Sequence, residues 1–399
     1  MASDTMAPTL DRRLSSGVEM RPDGTASVRV WAPACHSVEL TIDGGASHPL
    51  TRGDDGVFIG RIAGIQPGAR YWYRLDGTDL RPDPASRFQP IGPHGPSEIV
   101  DPLAFRWTDG GWTGLQPTGQ VLYEMHVGTF TPAGTWASAM AELPAIADLG
   151  VTVIEMMPVA DFAGRFGWGY DGVNLYAPSH LYGRPDDLRT FVDRAHAVGL
   201  GVILDVVYNH LGPDGNHLSD FSPDYFTDRY TNDWGRAINF EGPPQARAFF
   251  VENAGYWIDE YHFDGLRLDA TDSLHDTSAR HVVCEIVESA RRAAKDRRVL
   301  VIGENESQRT ELARPTEAGG AGLDALWNDD LHHAAHVAVT GRAGGYYDAT
   351  KGDAAGSGTP PSGPNGARRL AGFRALVLAP SEPKGARPKL RPQGPSPEE

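Results

Sequence analysis

Cysteine is scarce in this chain: Cys35 and Cys284 are the only two in 399 residues. Two thiols cannot build a disulfide framework, so the fold has to hold by packing, and a reducing cytoplasmic location is expected. Long apolar runs are missing as well. None approaches the roughly 20 residues that a membrane-spanning helix needs, so no membrane partner is expected. Met1 to Gly17 carries two arginines but no apolar centre, which is not the pattern of a secretory leader. Positive charge is also in short supply, with 36 Lys plus Arg against 52 Asp plus Glu and a net charge of −16. Nucleic acids and anionic surfaces need a basic face, so no nucleic acid partner is expected either.

Several motifs are absent too. There is no P-loop, no G-x-S-x-G and no H-E-x-x-H, which argues against a nucleotide triphosphatase, a serine hydrolase and a zinc protease. Gly167-Trp-Gly-Tyr-Asp-Gly172 has glycine-fingerprint spacing. No strand leads into it, no helix opens from it, and Trp168 and Tyr170 would obstruct a pyrophosphate. No cofactor is expected. Asn305-Glu-Ser307 matches a glycosylation acceptor, without meaning in a cytosolic chain.

What is present is a globular composition, 40% hydrophobic and 22% charged, enough for two or three domains. Residues 18–107 read as short alternating strands, such as Ala26–Trp31, Ser37–Ile42, Val57–Ile62 and Arg70–Leu75. Turns separate them, as in a small β-sandwich domain. From about Gln120, apolar runs alternate with helical patterns, the grammar of βα units around a parallel sheet. Strands are expected at Val121–His126, Val151–Met157, Gly201–Val207, Phe263–Asp269, Val299–Glu304 and Leu323–Trp327. Helices are expected at Thr135–Leu149, Asp186–Val198, Gln245–Glu260, His275–Lys295 and Asp330–Thr340. The fold class is therefore α/β, either a (β/α)8 TIM barrel carried through about six units over residues 119–345, or a doubly wound sheet. The stretch 208–244 is irregular and long enough to be functional or an inserted subdomain.

Polar residues gather at the C-terminal ends of these strands: Asp205, Asn209 and His210 after the third, Arg267 and Asp269 on the fourth, Glu304 on the fifth. In a parallel barrel those ends converge on one face. Any one of them could simply cap the next helix; three in succession argue for a site. Positions i and i+2 of a strand share a side, so Arg267 and Asp269 are neighbours and the guanidinium holds the carboxylate ionised. Glu304 follows the apolar run Val299–Ile302, surroundings expected to favour the protonated acid. One charged and one protonated carboxyl form the pairing that glycosidic bond cleavage uses.

These stretches resemble the motifs of the α-amylase superfamily of glycoside hydrolases and transferases. Asp205-Val-Val-Tyr-Asn-His210, Gly265-Leu-Arg-Leu-Asp-Ala270 and Gly303-Glu-Asn-Glu306 carry the resemblance. Within the superfamily the chain resembles the malto-oligosyltrehalose trehalohydrolases over roughly residues 20–345. That likeness rests on Tyr123–Phe130, Trp168–Asp171, Asn209–Asn216, Phe221–Phe226, Trp234–Phe240 and Leu326–His333. It implies a retaining mechanism with Asp269 as nucleophile, Glu304 as acid and then base, and Arg267 holding Asp269 ionised. His210 and Tyr170 would bind the sugar beside the scissile bond. Asp205 and Asn209 would support the site, and Asp272, Asp329, Asp330, His332 and His333 would line the trehalose end. The substrate implied is maltooligosyl trehalose, and the implied pathway neighbour is the synthase that makes it. His332-His333 is too sparse for a metal site, and none is expected. A branching enzyme of the same superfamily and an inactive glucan-binding remnant are the alternatives. Trp31, Trp72 and Tyr73 of the sandwich have the chemistry of a glucan platform, although packing against the barrel is the expected role.

One element of that resemblance is missing. The superfamily's third acid lies in an Asn-His-Asp motif, and the sequence has none. Residues 341–399 hold nine Lys/Arg, five Asp/Glu, 11 Gly and nine Pro, so the composition changes abruptly. The expectation is that the chain departs from its family between about Gly352 and Leu370, through a frameshift or truncation. Residues 346–399 then form an atypical tail in which Phe373–Leu378 is the one strand-like run. An incomplete barrel is expected to leave strand edges unpaired and prone to aggregation.

Overall fold

The computed structural model describes residues 13–232, 234–307, 309–327 and 329–342 and a short strand at 376–378. Nine short strands come first: β1 (Gly17–Met20), β2 (Thr25–Trp31), β3 (Val38–Ile42), β4 (Ser47–Pro49), β5 (Thr51–Arg52), β6 (Val57–Ala63), β7 (Arg70–Leu75), β8 (Asp79–Arg81) and β9 (Ser97–Glu98). They form two antiparallel sheets, β1-β2-β6-β5 and β4-β3-β7-β8, with β9 on β7. Alternating side chains such as Val28, Val30, Leu40, Phe58 and Tyr73 fill the space between them, as strand periodicity requires. Trp31 and Tyr73 are buried, and Trp31 packs edge-on against Tyr225 at 5.0 Å. Trp72 donates its indole N–H to Asp43. These three aromatics therefore do not make an open platform.

The second sheet has the order β10 (Leu122–Met125), β11 (Val153–Met156), β14 (Gly201–Val206), β17 (Gly265–Leu268), β18 (Leu300–Glu304), β19 (Ala325–Trp327) and β20 (Leu376–Leu378). The first six run parallel, and β20 pairs antiparallel with β19. This is an incomplete (β/α) barrel. Two hairpins sit in its loops, β12 (Ala160–Asp161) with β13 (Asn174–Pro178) and β15 (Phe226–Asn232) with β16 (Gly235–Ile238). The latter gives the irregular stretch 208–244 its form.

Three expectations need correction or refinement. The outer edge of β19 is paired, because β20 occupies it, so the edge on that side passes to β20, which has no further strand beside it among the described residues. The β10 edge has no strand beside it among the described residues, and Tyr123 and Glu124 there are exposed. The helix expected over His275–Lys295 spans only Val282–Ala294. Asp276 prevents its extension: its carboxylate accepts from Ser278 N, Val282 N and Arg247, closing a turn ahead of the helix. Thr135–Leu149 divides into Trp136–Met140 and Leu143–Asp148, with Pro144 in the first turn of the second, where proline is tolerated.

Close strand approach fixes one glycine. A Cβ on Gly265 would stand 1.9 Å from the Leu300 carbonyl oxygen of the neighbouring strand. Gly265→Ala is expected to cost about 3 kcal/mol or more of stability, read as a fall in the urea midpoint. An unchanged midpoint would show that β17 and β18 can separate freely.

At the opposite end of the sheet from the polar cluster, Asp264 accepts from Trp112 Nε1 at 2.6 Å and contacts His196 Nε2 at 2.8 Å. The other nitrogen of His196 meets Asp109 at 3.0 Å, and His262 meets the same Asp109 oxygen at 2.7 Å. Burial alone would lower the pKa of His196, but the bonds to Asp109 and Asp264 raise it above the ordinary imidazole value. Both ring nitrogens then donate, so the protonated ring ties residues 107–115 to the sheet. With its folded value raised, this stabilisation is complete below the unfolded imidazole value of about 6.5 and lost as pH rises through the folded value. The urea midpoint is expected to fall from pH 6 to pH 9 in the native chain, and to fall less in His196→Gln. Equal falls in both would remove the imidazolium from the account.

Candidate active site

Inward-facing side chains change character along each strand. They read Leu122 then Glu124, Val153 then Glu155, Ile203 then Asp205, Gly265 then Arg267 then Asp269, Leu300 and Ile302 then Glu304, Ala325 then Trp327. The apolar members Val153, Ile203, Leu300, Ile302 and Ala325 form one buried cluster. The polar members lie toward the C-terminal ends, where a parallel barrel places its site.

Arg267 is the hub. Its Nη1 lies 2.9 Å from both Asp205 oxygens and 2.6 Å from Asp269 Oδ1, while its Nη2 lies 2.9 Å from Glu304 Oε1. One guanidinium thus bridges the two acids expected to do chemistry, from register partners on β14 and β17 to the end of β18. Asn209 donates to the other Asp269 oxygen at 2.7 Å and to its carbonyl at 3.1 Å. Both oxygens of Asp269 are therefore held in place. Glu304 Oε2 accepts from Ala270 N at 2.9 Å. Ala270 reaches that position in a left-handed conformation, φ 41°, a strain of about 1–2 kcal/mol that the surrounding contacts maintain.

The surroundings of Glu304 differ from expectation. In place of an apolar wall, a cation and an amide meet its oxygens, since the apolar side chains preceding it on β18 lie deeper in the sheet. Both contacts are of the kind made to a carboxylate.

Tyr170 and His210 join from the loops. Tyr170 donates to Asp205 Oδ2 at 2.8 Å, and His210 Nε2 donates to the Tyr170 carbonyl at 2.8 Å. The other His210 nitrogen meets Asn209 Oδ1. Burial lowers the His210 pKa, with the Tyr170 carbonyl and Asp269 acting against it. Burial pushes the Asp205 carboxyl upward, with Arg267 opposing. Trp234 stacks on His210, ring centroids 3.9 Å apart, and is about half exposed. The loop carrying Tyr170 is pinned: Gly169 has φ +98°, and a Cβ there would lie 2.1 Å from the Pro158 carbonyl oxygen. Close packing thus accounts for the glycine spacing, and no helix follows it.

Asp272 is exposed and engaged by Ser307 through its N at 3.1 Å and Oγ at 2.6 Å. Asp329, Asp330, His332 and His333 fall on the helix Asp329–Thr340. The side chains of Asp329, Asp330 and His332 lie outside the described residues, and His333 is half-buried. Asn305 is buried, donates to Thr271 Oγ1 and accepts from Arg309 N, so it offers no glycosylation site. No cluster of three metal-ligating side chains occurs among the described residues. The strand-end reading overlooked Glu124 and Glu155. The signal was available in the i, i+2 alternation of Val153-Ile-Glu155, which continues the pattern of Ile203-Leu-Asp205.

The catalytic-domain family model of α-amylase matches residues 100–234. The malto-oligosyltrehalose trehalohydrolase of Deinococcus radiodurans is 42% identical over 345 residues, which is 86% of this chain and 56% of that protein. A crystal structure of a putative α-amylase from Salmonella typhimurium superposes with a TM-score of 0.80 at 43% identity, covering 84% of this chain and 57% of that one. A 1,4-α-glucan branching enzyme of Thiobacillus denitrificans is more distant, at 32% identity over 75% of this chain and 46% of that protein. The chain spans little more than half the length of the trehalohydrolase it matches. Over that shared length it is similar to the malto-oligosyltrehalose trehalohydrolases, with the α-amylase catalytic-domain match inside it.

Proposed function

We propose that this chain carries the nucleophile and acid of a retaining glycosidase that hydrolyses the α-1,4 bond next to the trehalose end of maltooligosyl trehalose. The observation that carries this reading is the bridging of Asp269 and Glu304 by Arg267. Retaining enzymes keep their carboxyl groups only about 5–5.5 Å apart, and inverting ones about 6.5–9.5 Å. Two acids that share the neighbouring nitrogens of one guanidinium suit the shorter spacing.

Asp269 attacks the anomeric carbon as the glycosidic bond breaks, and Glu304, which takes up a proton from solvent once substrate displaces it from Arg267, gives that proton to the departing oxygen. Water then attacks the covalent intermediate, with Glu304 taking its proton and Asp269 leaving. Arg267 and Asn209 fix the two Asp269 oxygens before substrate arrives, so little reorganisation remains at attack. The Arg267–Glu304 contact opens as the leaving oxygen takes its place against Glu304. Tyr170 and His210 bind the sugar at the cleavage point, and Asp205 holds Arg267 and Tyr170 in position. Asp272, Asp329, Asp330, His332 and His333 line the trehalose end. The synthase that makes maltooligosyl trehalose is the pathway neighbour. The cytoplasm is the proposed location; no helix among the described residues is long and apolar enough to cross a membrane.

Incubating the purified chain with maltooligosyl trehalose and, separately, with amylose tests the assignment. Free trehalose supports it. Branched glucan would favour the branching-enzyme reading, and retention of sugar without turnover the inactive-remnant reading. Because the Asn-His-Asp motif is missing, the 399-residue polypeptide is expected to turn over slowly. Loss of one transition-state contact typically costs about 10²–10³ in rate.

A further inference from the structure

Glu155 has no part in the chemistry proposed above, yet it sits inside the sheet directly below it. Its strand places it on the inner face two residues beyond Val153, at the level where the neighbouring strands put Ile203, Gly265 and Leu300. It is only 4% exposed. A carboxyl so deep normally carries a partner, because burying an uncompensated charge costs several kcal/mol. Its partner comes from the far side of the sheet. Trp327 Nε1 on β19 reaches Glu155 Oε1 on β11 at 3.4 Å, spanning the interior past β14, β17 and β18. Trp327 is itself the register partner of Glu304, and it immediately precedes the segment leading into Asp329 and Asp330.

The charged groups facing Glu155 come from three strands: Arg267 on β17, Glu124 on β10 and Glu304 on β18. Burial pushes the Glu155 carboxyl up to about 7, with Arg267 opposing and Glu124 and Glu304 adding to the rise. The group therefore changes charge within the ordinary working range of an enzyme. An ionised acceptor holds an indole N–H more strongly than a neutral carboxylic acid does.

We propose that Glu155 is a positioning residue: by accepting the Trp327 indole N–H across the barrel interior, it sets where the end of β19 stands against the site. Ionised Glu155 holds Trp327 in place, and protonation loosens it. The consequence for sugar binding rests on the glycosidase reading, whereas the consequence for Trp327 does not.

The test is nuclear magnetic resonance of the full chain with ¹⁵N-labelled tryptophan, the Trp327 indole signal being assigned by its loss in Trp327→Phe. In the native chain that signal is expected to move with pH, with a midpoint near 7. In Glu155→Gln, which keeps the carbonyl acceptor and the volume, it is expected to stay fixed. A Trp327 signal that does not titrate, or that titrates equally in Glu155→Gln, overturns the proposal. In parallel, maltotriose affinity is measured at pH 5.5 and 8.5. The native chain is expected to bind about fivefold more tightly at the higher pH, in line with the stronger hydrogen bond to a charged acceptor. Glu155→Gln is expected to show no such difference, and Glu155→Leu to bind weakly at both values. Equal pH dependence in the native chain and Glu155→Gln overturns the link to sugar binding. Failure of the native chain to bind maltotriose at either pH counts against the glucan reading itself, and the indole titration then decides the positioning role alone.

Discussion

Asp269→Asn is expected to abolish trehalose release, a loss of about 10⁴-fold or more, comparable to removing a covalent nucleophile elsewhere. The amide cannot attack, and its N–H₂ group must face either Arg267 Nη1 or Asn209 Nδ2, donors that the carboxylate satisfied together. Glu304→Gln separates the two roles. It removes the proton given to a sugar leaving group but not the nucleophile. Release from maltooligosyl trehalose should therefore collapse while glycosyl transfer from α-glucosyl fluoride, whose leaving group needs no proton, persists through its first step. Steady-state rates and the burst of fluoride release check both. Full activity of Asp269→Asn on the natural bond would remove it from the mechanism.

Arg267→Met is expected to cost about 3–5 kcal/mol of stability, the usual result of leaving a buried partner charge uncompensated. Asp205 has a side chain only 1% exposed, and after the substitution its carboxylate keeps the Tyr170 hydroxyl but no cation. Asp269 loses one of its two positioning contacts at the same time. Making Asp205→Asn in the same chain should return part of the loss, since the uncompensated charge is then gone. Urea denaturation of the three chains measures this. A single-variant change under about 1 kcal/mol would mean that water or another group neutralises Asp205.

The site was legible where its residues are close in sequence or share a strand. Arg267 and Asp269 follow from period-two alternation, and Glu304 from its place at the end of an apolar run. The bridge from Arg267 to Glu304 joins two strands, and no spacing within either strand announces it. Tyr170 illustrates the same limit from a loop: its hydroxyl meets Asp205 only because Gly169 packs against Pro158. Glu155 itself carries the alternation signal of its strand, but its contact does not, because its partner Trp327 lies 172 residues away. For the fold, parallel strands were readable as apolar runs because both faces are covered. The helix after β17 was overextended because Asp276 closes a turn that helical periodicity does not reveal. The antiparallel pairing of β20 could not be read at all, since strand direction leaves no mark on Leu376-Val-Leu378.

The claim at the centre of this account is that Asp269 becomes covalently bonded to sugar. Intact-mass and peptide mass spectrometry of the chain treated with 5-fluoro-α-glucosyl fluoride, which slows both steps of a retaining mechanism, tests it most directly. The expected result is a gain of one fluoroglucosyl unit located on the peptide that contains Asp269, absent from Asp269→Asn. A sugar adduct on any other carboxylate, or trehalose release without an adduct under conditions that trap a retaining enzyme, would contradict it.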